Sequence, residues 1–542
     1  MSDNSKNISE EFTCKRGLFF ICFIALKGFL CFNDFKRGNK GVHMGTAIKR
    51  ATVLIISILL QVALYVVIYV FLAKYLVYLN ILFAIVGVLL VLYLIKDSKN
   101  YSFNLPWIVI LLLAPVVGSL LYIVLGRNKI RSKTLQNVRK SEINSTKYLI
   151  QDKSIRKQFE KNTKLKYISD YAGYPVTTNN EVEYYPLGEE AFEVMLKELK
   201  KAKKFIFFEY FIVAEGKMWK SILKILEDKA HQGVDVRVMY DDFGCIATLP
   251  SDYYKKLEAK GIKCIAFNHL HPFAGIVMNN RDHRKILVID GKVAFSGGIN
   301  IADEYINEKE VYGHWKDNAI KIVGESVWNY TVMFLTMWNA YRNEDEDFSL
   351  FKYKFKDDGI HRGFVAPYGE TPFDREVTGE DVYLNIINQA KKYVYIFTPY
   401  LIIDTDMINS LCLAAKRGVD VRIVIPGIPD KKIVYTVSES YILPLVKAGV
   451  KVYKYTPGFI HAKVFVSDDH IATCGTINMD YRSLYLHFEC GCYMEDCDVI
   501  PYIKKDVDDT IEKSHEVSLE ECSRGTIKAM WQAVLRLAAP LM

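Results

Sequence analysis

Three common nucleotide- and metal-binding signatures are missing from this 542-residue sequence. It has no P-loop, no dinucleotide-binding glycine motif and no zinc-metalloprotease helix. The glycine-containing stretches at residues 296–299 and 474–477 belong to an internal repeat described below and do not read as nucleotide loops. No bound cofactor is expected.

A regular cysteine spacing is also missing. The 11 cysteines are scattered, which argues against a disulfide framework and favours a reducing compartment for the folded part. Cys490, Cys492 and Cys497 form the densest group, but they lack a fourth ligand at zinc-like spacing. Because FECGCYME alternates like a strand, we interpret these cysteines as structural and expect no metal.

The sequence has no strong excess of one charge. Lys and Arg number 70 against 62 Asp and Glu, a formal net charge of +8. Nucleic-acid binding usually requires a strongly basic surface, so no nucleic-acid partner is expected. A modestly basic protein is compatible with anionic lipid or phosphate.

Long apolar runs are what the N-terminal part does have. Residues 52–73, 75–95 and 105–125 are each long enough to cross a bilayer. They lie well inside the chain and lack a small-residue cleavage site, so we interpret them as anchors rather than a signal peptide. Residues 17–32 are shorter, contain Lys27 and precede a basic stretch, and we expect them to lie in the membrane interface.

The basic residues that flank these apolar runs conflict with a count of three membrane crossings. Both flanks, residues 36–50 and 127–133, carry several Lys and Arg side chains. The positive-inside tendency places both flanks in the cytoplasm and requires an even number of crossings, whereas three segments give an odd number. Either the segment containing Pro115 does not fully cross, or one flank breaks the rule. We expect a multi-pass cell-membrane protein with its catalytic body on the cytoplasmic side.

From about residue 180 apolar strands alternate with charged helices. Residues 205–213, 234–240, 263–267 and 285–297 read as strands, and helical spacing covers residues 218–232. This alternation predicts a largely parallel sheet covered by helices. The same order then recurs: GVDVR stands at 233–237 and again at 418–422, so the soluble part is an internal duplication.

Each copy contains H-x-K-x-x-x-x-D. The histidines, His283 and His461, are 178 residues apart. A His and a Lys two positions apart on a strand share one face, so they can contact one phosphate. Two matched copies predict two imidazoles at one phosphodiester, one attacking phosphorus and one protonating the leaving oxygen. The predicted catalytic set is His283, Lys285, Asp290, His461, Lys463 and Asp468.

Within that set the two aspartates fall beyond the strands and fit a turn or an ion pair better than chemistry. Downstream positions also match between the copies, and charge stabilisation of the phosphate is expected there. The predicted phosphate-binding residues are Gly298, Asn300, Thr476 and Asn478.

The two motifs and their GGIN and GTIN continuations resemble the phospholipase D superfamily, and from about residue 80 onward the chain is most similar to bacterial cardiolipin synthases. The resemblance extends to segments around the expected site and in the third apolar run. These segments are LPWIVILLLAPVVGSLLYIVLGRNK, FFEYFI, YGHWKDNAIKIVGESV (312–327), TPYLIIDTDM (398–407) and NMDYRSLYLHFE (478–489).

The resemblance implies an α/β fold of two pseudo-symmetric α/β/α halves with mixed, largely parallel sheets, preceded by transmembrane helices. It also implies that Asp317 and Glu489 orient the histidines through their second ring nitrogen. The chain departs from the family at His487, where Asn is frequent, and at Asn318 and Ala319, where a Thr-His pair is frequent. These departures leave the details of lipid recognition open.

The expected domains follow from these observations. They are residues 1–50, an N-terminal cytoplasmic or interfacial segment; 51–126, the transmembrane region; 127–180, a linker; 181–350 and 351–515, the two halves; and 516–542, a C-terminal helix.

The activity implied is metal-free transfer of a phosphatidyl group between two phosphatidylglycerol molecules. By analogy with the superfamily His283 is the nucleophile, although the residues alone do not distinguish nucleophile from acid. Partners are phosphatidylglycerol and membrane lipids, and a homodimer is left open. The alternatives are hydrolysis to phosphatidic acid, a donor such as phosphatidylethanolamine, and a phosphodiesterase or nuclease. A silent scaffold is disfavoured because both His-Lys pairs are intact.

Overall fold

The computed structural model describes residues 76–96, 101–123, 133–269, 280–356, 359–373, 376–522 and 525–541, with most of residues 52–69. Contacts divide the chain into two units, Met1–Ile81 and Leu82–Met542. In the first unit a short apolar helix spans Ile58–Val67, within the first predicted membrane segment. The interfacial segment predicted at 17–32 lies outside the described residues.

One helix of the described residues is long and apolar enough to cross a membrane. It runs from Leu76 to Lys96, and its stretch Tyr78–Lys96 has the required length and composition. A helix of 21 residues spans about 31 Å, close to the thickness of a bilayer core. This helix coincides with the second predicted segment, residues 75–95.

The third predicted segment, residues 105–125, does not form one straight helix. Helix Tyr101–Leu113 stops at Ala114, and a second helix, Pro115–Leu121, runs back along it. The Trp107 and Tyr122 rings meet edge to face at 5.5 Å, which a straight helix would forbid. Gly118 permits the close packing, because a Cβ there would lie 2.7 Å from the Ile110 carbonyl oxygen. The sequence left open that the segment containing Pro115 does not fully cross, but it did not predict a hairpin.

The described part of the region predicted as a linker, residues 133–179, is mostly helical and packs into the body. Its helices are Lys133–Ser145, Lys153–Gln158 and Thr163–Asp170, with a 3-10 turn at Thr146–Tyr148. Val138, Phe159 and Leu165 are buried in the core of the body. These helices are therefore part of the folded unit.

The body contains two large sheets of equivalent design. The strands of the first half are β1 Asn180–Tyr185, β2 Phe205–Tyr210, β3 Asp235–Asp241, β4 Lys263–Phe267, β5 Lys285–Ile289, β6 Val293–Gly297, β7 His314–Lys316 and β8 Ala319–Gly324. Those that follow are β9 Phe364–Glu370, β10 Tyr393–Phe397, β11 Leu401–Ile402, β12 Asp420–Pro426, β13 Lys451–Tyr455, β14 Gly458–Ile460, β15 Val464–Ser467, β16 Ile471–Gly475, β17 Met479–Asp480, β18 Glu489–Glu495 and β19 Ser514–Glu516. The first sheet has the order β1-β8-β6-β5-β2-β3-β4 and the second the order β19-β13-β12-β10-β15-β16-β18-β9.

Both sheets are mixed, as predicted, but antiparallel pairs predominate. In the first sheet only β2–β3 and β3–β4 are parallel, and these are the strands joined by helical crossovers. The β5–β6 connection is a tight turn at Asp290 and Gly291, both with positive φ, so these strands must be antiparallel. The prediction of largely parallel sheets was therefore wrong. The cysteines at 490 and 492 lie in strand β18, as their alternation indicated.

Helices cover the sheets and one of them joins the halves. The longer helices are Gly188–Lys201, Lys217–His231, Val327–Arg342, Thr378–Gln389, Thr405–Lys416, Lys432–Lys447, Ile500–Glu512 and Thr526–Leu537. The short ones are Tyr253–Glu258, Tyr481–Tyr485 and Leu519–Cys522, with 3-10 turns at Asp303–Ile306, Phe348–Phe351 and Ala539–Leu541. Helix Val327–Arg342 is buried along almost its whole length, in a core cluster that draws on both sheets. The two halves therefore share a core.

Candidate active site

Both motif histidines stand directly before central strands. His283 precedes β5, which lies between β2 and β6, and His461 precedes β15, which lies between β10 and β16. The two sheets meet through β6 and β16. This arrangement brings the two motifs, far apart in sequence, to one interface between the halves.

Each histidine is held by a carboxylate of the opposite half. Both Glu489 oxygens lie 2.9 Å from His283 Nδ1, and Asp317 Oδ2 lies 2.7 Å from His461 Nδ1. Both carboxylates are fully buried. A carboxylate at Nδ1 fixes the Nδ1–H tautomer and leaves Nε2 with its lone pair, as a nucleophile or general base requires.

Backbone pairing across the halves makes the crossing possible. Strand β14, which leads into His461, pairs in parallel with β7, and the His461 N–H donates to the Lys316 carbonyl at 2.7 Å. In the other motif the His283 N–H donates to the Phe488 carbonyl at 2.9 Å. Each histidine is therefore anchored one residue from the carboxylate that orients it.

The motif lysines are buried beside the histidines. Lys285 Nζ donates to the His283 carbonyl at 2.6 Å, and Lys463 Nζ donates to the His461 carbonyl and lies 2.9 Å from His461 Nδ1. Burial lowers the pKa of Lys285 to about 8 and that of Lys463 to about 7. The charge of Lys285 contributes to the lowered pKa of Lys463, so the two motifs belong to one electrostatic site.

Burial disfavours the charged form of both imidazoles. Burial, and then the neighbouring Lys463, lowers the pKa of His461 to about 4; burial also holds the pKa of His283 well below its usual range. Burial opposes ionisation of Glu489, but His283 and its other partners lower the pKa of that carboxyl. A bound anion would favour the protonated forms of these histidines and of the motif lysines, and so would raise their pKa values.

Gly298 and Thr476, predicted to bind phosphate, contact the orienting carboxylates instead. A Cβ at position 298 would lie 2.0 Å from Asp317 Oδ1, so only glycine leaves room for that carboxylate. At the equivalent position of the second half, the Thr476 hydroxyl donates to Glu489 Oε2 at 2.5 Å. Both residues therefore contact the carboxylates that hold the histidines.

The two motif asparagines differ. The Asn300 side chain accepts from the Ile212 N–H at 3.1 Å and donates to the Tyr305 hydroxyl at 2.8 Å, which engages both its ends. Asn478 donates its backbone N–H to Ser483, and among the described residues no hydrogen bond satisfies its buried Oδ1. Of the two, Asn478 is better placed to meet a ligand.

The structure does not bring Asp290 and Asp468 to the histidines. Asp290 accepts from the backbone N–H groups of residues 203–205 at 2.7–3.0 Å, and Asp468 does the same for residues 391–393 at 2.7–2.9 Å. Five strand residues beyond Lys285, Asp290 is about 17 Å further along the sheet. Both aspartates hold the turn against the start of the neighbouring strand, in keeping with the turn interpretation.

His283 and two neighbouring side chains, His487 and Glu489, carry atoms that could ligate a metal. These atoms of His283, His487 and Glu489 lie within 4.8 Å of one another. A cation there would have to replace the proton that His283 and Glu489 share. The His487 Nδ1 atom lies 3.7 Å from Glu489 Oε1.

Sequence reasoning missed two parts of the site. Ser483 donates to Glu489 Oε1 at 2.5 Å, a third anchor for that carboxylate. Phe211 and Tyr305 place their rings edge-on to His283 and His461, at 4.8 and 5.4 Å between centroids. Phe211 lies in FFEYFI, a segment that the resemblance had singled out, but its contact with the imidazole required coordinates.

Residues 195–338 and 383–511 match the family model described as "Cardiolipin synthase, PLD-like domain". A cardiolipin synthase of Clostridium perfringens is 33% identical over 468 residues, covering 82% of this chain and 95% of that protein. An uncharacterized protein of Streptococcus mutans is 44% identical over 459 residues, 83% of this chain and 99% of the relative.

Among solved structures, phosphatidylserine synthase of Haemophilus influenzae superposes with a TM-score of 0.53 at 14% identity, covering 71% of this chain and 99% of that one. At that identity the likeness supports the fold alone. The family match and the identity to the Clostridium enzyme go further. The chain belongs to the cardiolipin synthase family of phospholipase D-like phosphatidyltransferases.

Proposed function

We propose that this enzyme joins two phosphatidylglycerol molecules, giving cardiolipin and glycerol, through a phosphatidyl-histidine intermediate. The observation that carries the proposal is the crossed pair of histidine–carboxylate hydrogen bonds, 2.9 Å at His283 and 2.7 Å at His461. Each imidazole is held through Nδ1 and lies beside the lysine of its own motif.

In the first half-reaction His283 Nε2 attacks phosphorus and the bond to the glycerol oxygen breaks. His461, whose pKa rises once the anionic phosphodiester is bound, protonates that oxygen. Lys285, Lys463 and Asn478 stabilise the charge on the non-bridging oxygens. In the second half-reaction His461 removes the proton from the hydroxyl of another phosphatidylglycerol, whose oxygen displaces His283 from phosphorus.

The membrane segments support a lipid acceptor. Helix Tyr78–Lys96 has the length of a crossing, whereas helix Tyr101–Leu113 covers about 20 Å and turns back at Ala114. We propose that the hairpin at residues 101–123 enters one leaflet and leaves on the same side. It then does not count as a crossing, and the predicted segments 52–73 and 75–95 give the even number of crossings that both basic flanks require. A cytoplasmic body follows from those flanks.

The test is incubation of the purified full chain with headgroup-labelled phosphatidylglycerol alone. The proposal requires cardiolipin and free glycerol in equal amounts, without nucleotide, and loss of both with His283→Ala or His461→Ala. His231→Ala, on the surface helix Lys217–His231, is the matched control and should keep wild-type activity. Phosphatidic acid as the sole lipid product would replace the proposal with hydrolysis.

A further inference from the structure

The C-terminal helix Thr526–Leu537 points its apolar side away from the protein. Ile527 is 86% exposed and Trp531 58% exposed, although both are large apolar residues. Their spacing along the helix places the exposed apolar side chains on one stripe. This stripe, called here the C-terminal apolar face, consists of Ile527, Met530, Trp531, Val534 and Leu537.

The polar side of the same helix faces the body. It packs on helix Lys432–Lys447, the reverse of the usual orientation for a helix of a soluble protein. The contacts are Gln532 Nε2 to the Thr436 carbonyl at 3.2 Å, the Arg536 guanidinium 4.3 Å over the Tyr441 ring, and Lys528 Nζ to Glu439 at 3.8 Å. Specific polar contacts therefore hold the apolar face outward.

The chain continues from this helix to both the apolar hairpin and the site. The turn Ala539–Leu541 contacts helix Tyr101–Leu113, whose Leu112 and Leu113 are exposed. The same turn contacts helix Tyr481–Tyr485, which carries the Ser483 hydroxyl bound to Glu489. One turn thus links the apolar N-terminal hairpin, the C-terminal apolar face and the carboxylate that orients His283.

We propose that the C-terminal apolar face lies in the boundary between headgroups and acyl chains of the bilayer, as a second attachment beside the N-terminal helices. This attachment would hold the active site against the membrane surface. The inference rests on the proposed function, because that function takes its substrate from the bilayer. A helix of 12 residues, about 18 Å long, with one apolar side and a tryptophan in it, suits this position. A stable dimer buries about 20–30 residues a side, far more than this stripe.

Depth-dependent quenching tests the position directly. The full chain is reconstituted into phosphatidylglycerol-containing vesicles with brominated lipid, and the fluorescence lost on Trp531→Phe isolates the signal of that side chain. Trp328→Phe, which removes a buried indole, provides the control difference. We expect lipid bromine, not aqueous iodide, to quench the Trp531 component. Quenching of the Trp531 component by iodide alone would overturn the inference. Quenching by neither iodide nor bromine, together with cross-linking of two copies through this face, would overturn it as well.

A charge pair on the face tests the consequence. Ile527→Glu with Val534→Glu should lower phosphatidyl transfer in vesicles about tenfold and leave the rate in detergent micelles within about twofold. Ala529→Glu, exposed on the same helix outside the face, should change neither rate. Equal rates for the pair and the wild type in vesicles would refute the seating role. If the wild type makes no cardiolipin, the function proposal fails, whereas the quenching result still decides the inference.

Discussion

Replacing Asp317 by Asn should separate the two half-reactions of the enzyme. Asp317 is fully buried and accepts twice: Oδ2 faces His461 Nδ1 at 2.7 Å, and Oδ1 accepts from the Asn318 N–H at 2.8 Å. An amide has one acceptor for these two positions. If its oxygen stays on the Asn318 N–H, its NH₂ group faces His461 and forces the proton onto Nε2, the wrong tautomer for accepting a proton.

The expected magnitude follows from the role of His461. General acid–base catalysis contributes roughly 10²- to 10⁴-fold, so Asp317→Asn should lower cardiolipin formation by about 10³-fold. A phosphatidyl ester of p-nitrophenol has a leaving group that departs without a proton. With this ester, the nitrophenol burst of Asp317→Asn should fall less than about tenfold, because His283 still attacks while only the second step is slow.

Stopped-flow absorbance and lipid analysis measure the two quantities on the same preparation. Glu489→Gln should slow both the burst and the overall reaction, since it disturbs His283, and Asp347→Asn, at a surface cap, should change neither. Equal losses for the two leaving groups in Asp317→Asn would refute the assignment of His461 as acid and base.

Three further predictions concern charge, space and the motif aspartates. The pKa values of His461 and Lys463 are lowered to about 4 and about 7, and a bound anion favours the protonated form of both groups. Phosphate analogues should therefore bind with proton uptake at pH 7 and should lose affinity as the pH rises above 7. Calorimetry in two buffers measures the proton uptake, and proton release would contradict the prediction. Gly298→Ala should displace the carboxylate it faces and lower activity at least about 10²-fold, whereas Gly525→Ala, with no atom within 4 Å of the new Cβ, should match wild type in the same lipid assay. Asp290→Asn should lower the free energy of unfolding by about 1–3 kcal/mol and leave the activity per folded molecule unchanged. A thermal scan measures the stability and the lipid assay measures the activity. Loss of activity in a fully folded variant would indicate a catalytic role for Asp290.

Most of the fold could be predicted because its signals are local or repeated. Strands such as β4 follow from apolar runs, whereas the run 285–297, interpreted as strand, is divided into β5 and β6 by the turn at Asp290 and Gly291. The matched offsets after the two histidines revealed the duplication. Whether most strand pairs are parallel or antiparallel could not be derived in this way, because the antiparallel pairs of β8 and β9 join strands that are distant in sequence.

The site shows a similar division. The motif residues and both orienting carboxylates were named from the sequence, but not which carboxylate serves which histidine, since those contacts join residues 144 and 206 positions apart. Likewise the C-terminal helix has an apolar stripe in its sequence, but the pattern does not say which side packs on the body. The boundary between the halves at residues 350 and 351 stays a prediction.

In the proposed mechanism His283 receives the phosphatidyl group, while His461 donates and then accepts the proton. Brief incubation of His461→Asn with the nitrophenyl lipid, alkaline quench and peptide mass spectrometry tests it most directly, because a phosphorus–nitrogen bond survives base and the second step is blocked. We expect a glycerophosphoryl adduct on the peptide containing His283, and no such adduct in His283→Asn. An adduct on another residue, or nitrophenol released with no adduct at any time, would contradict it.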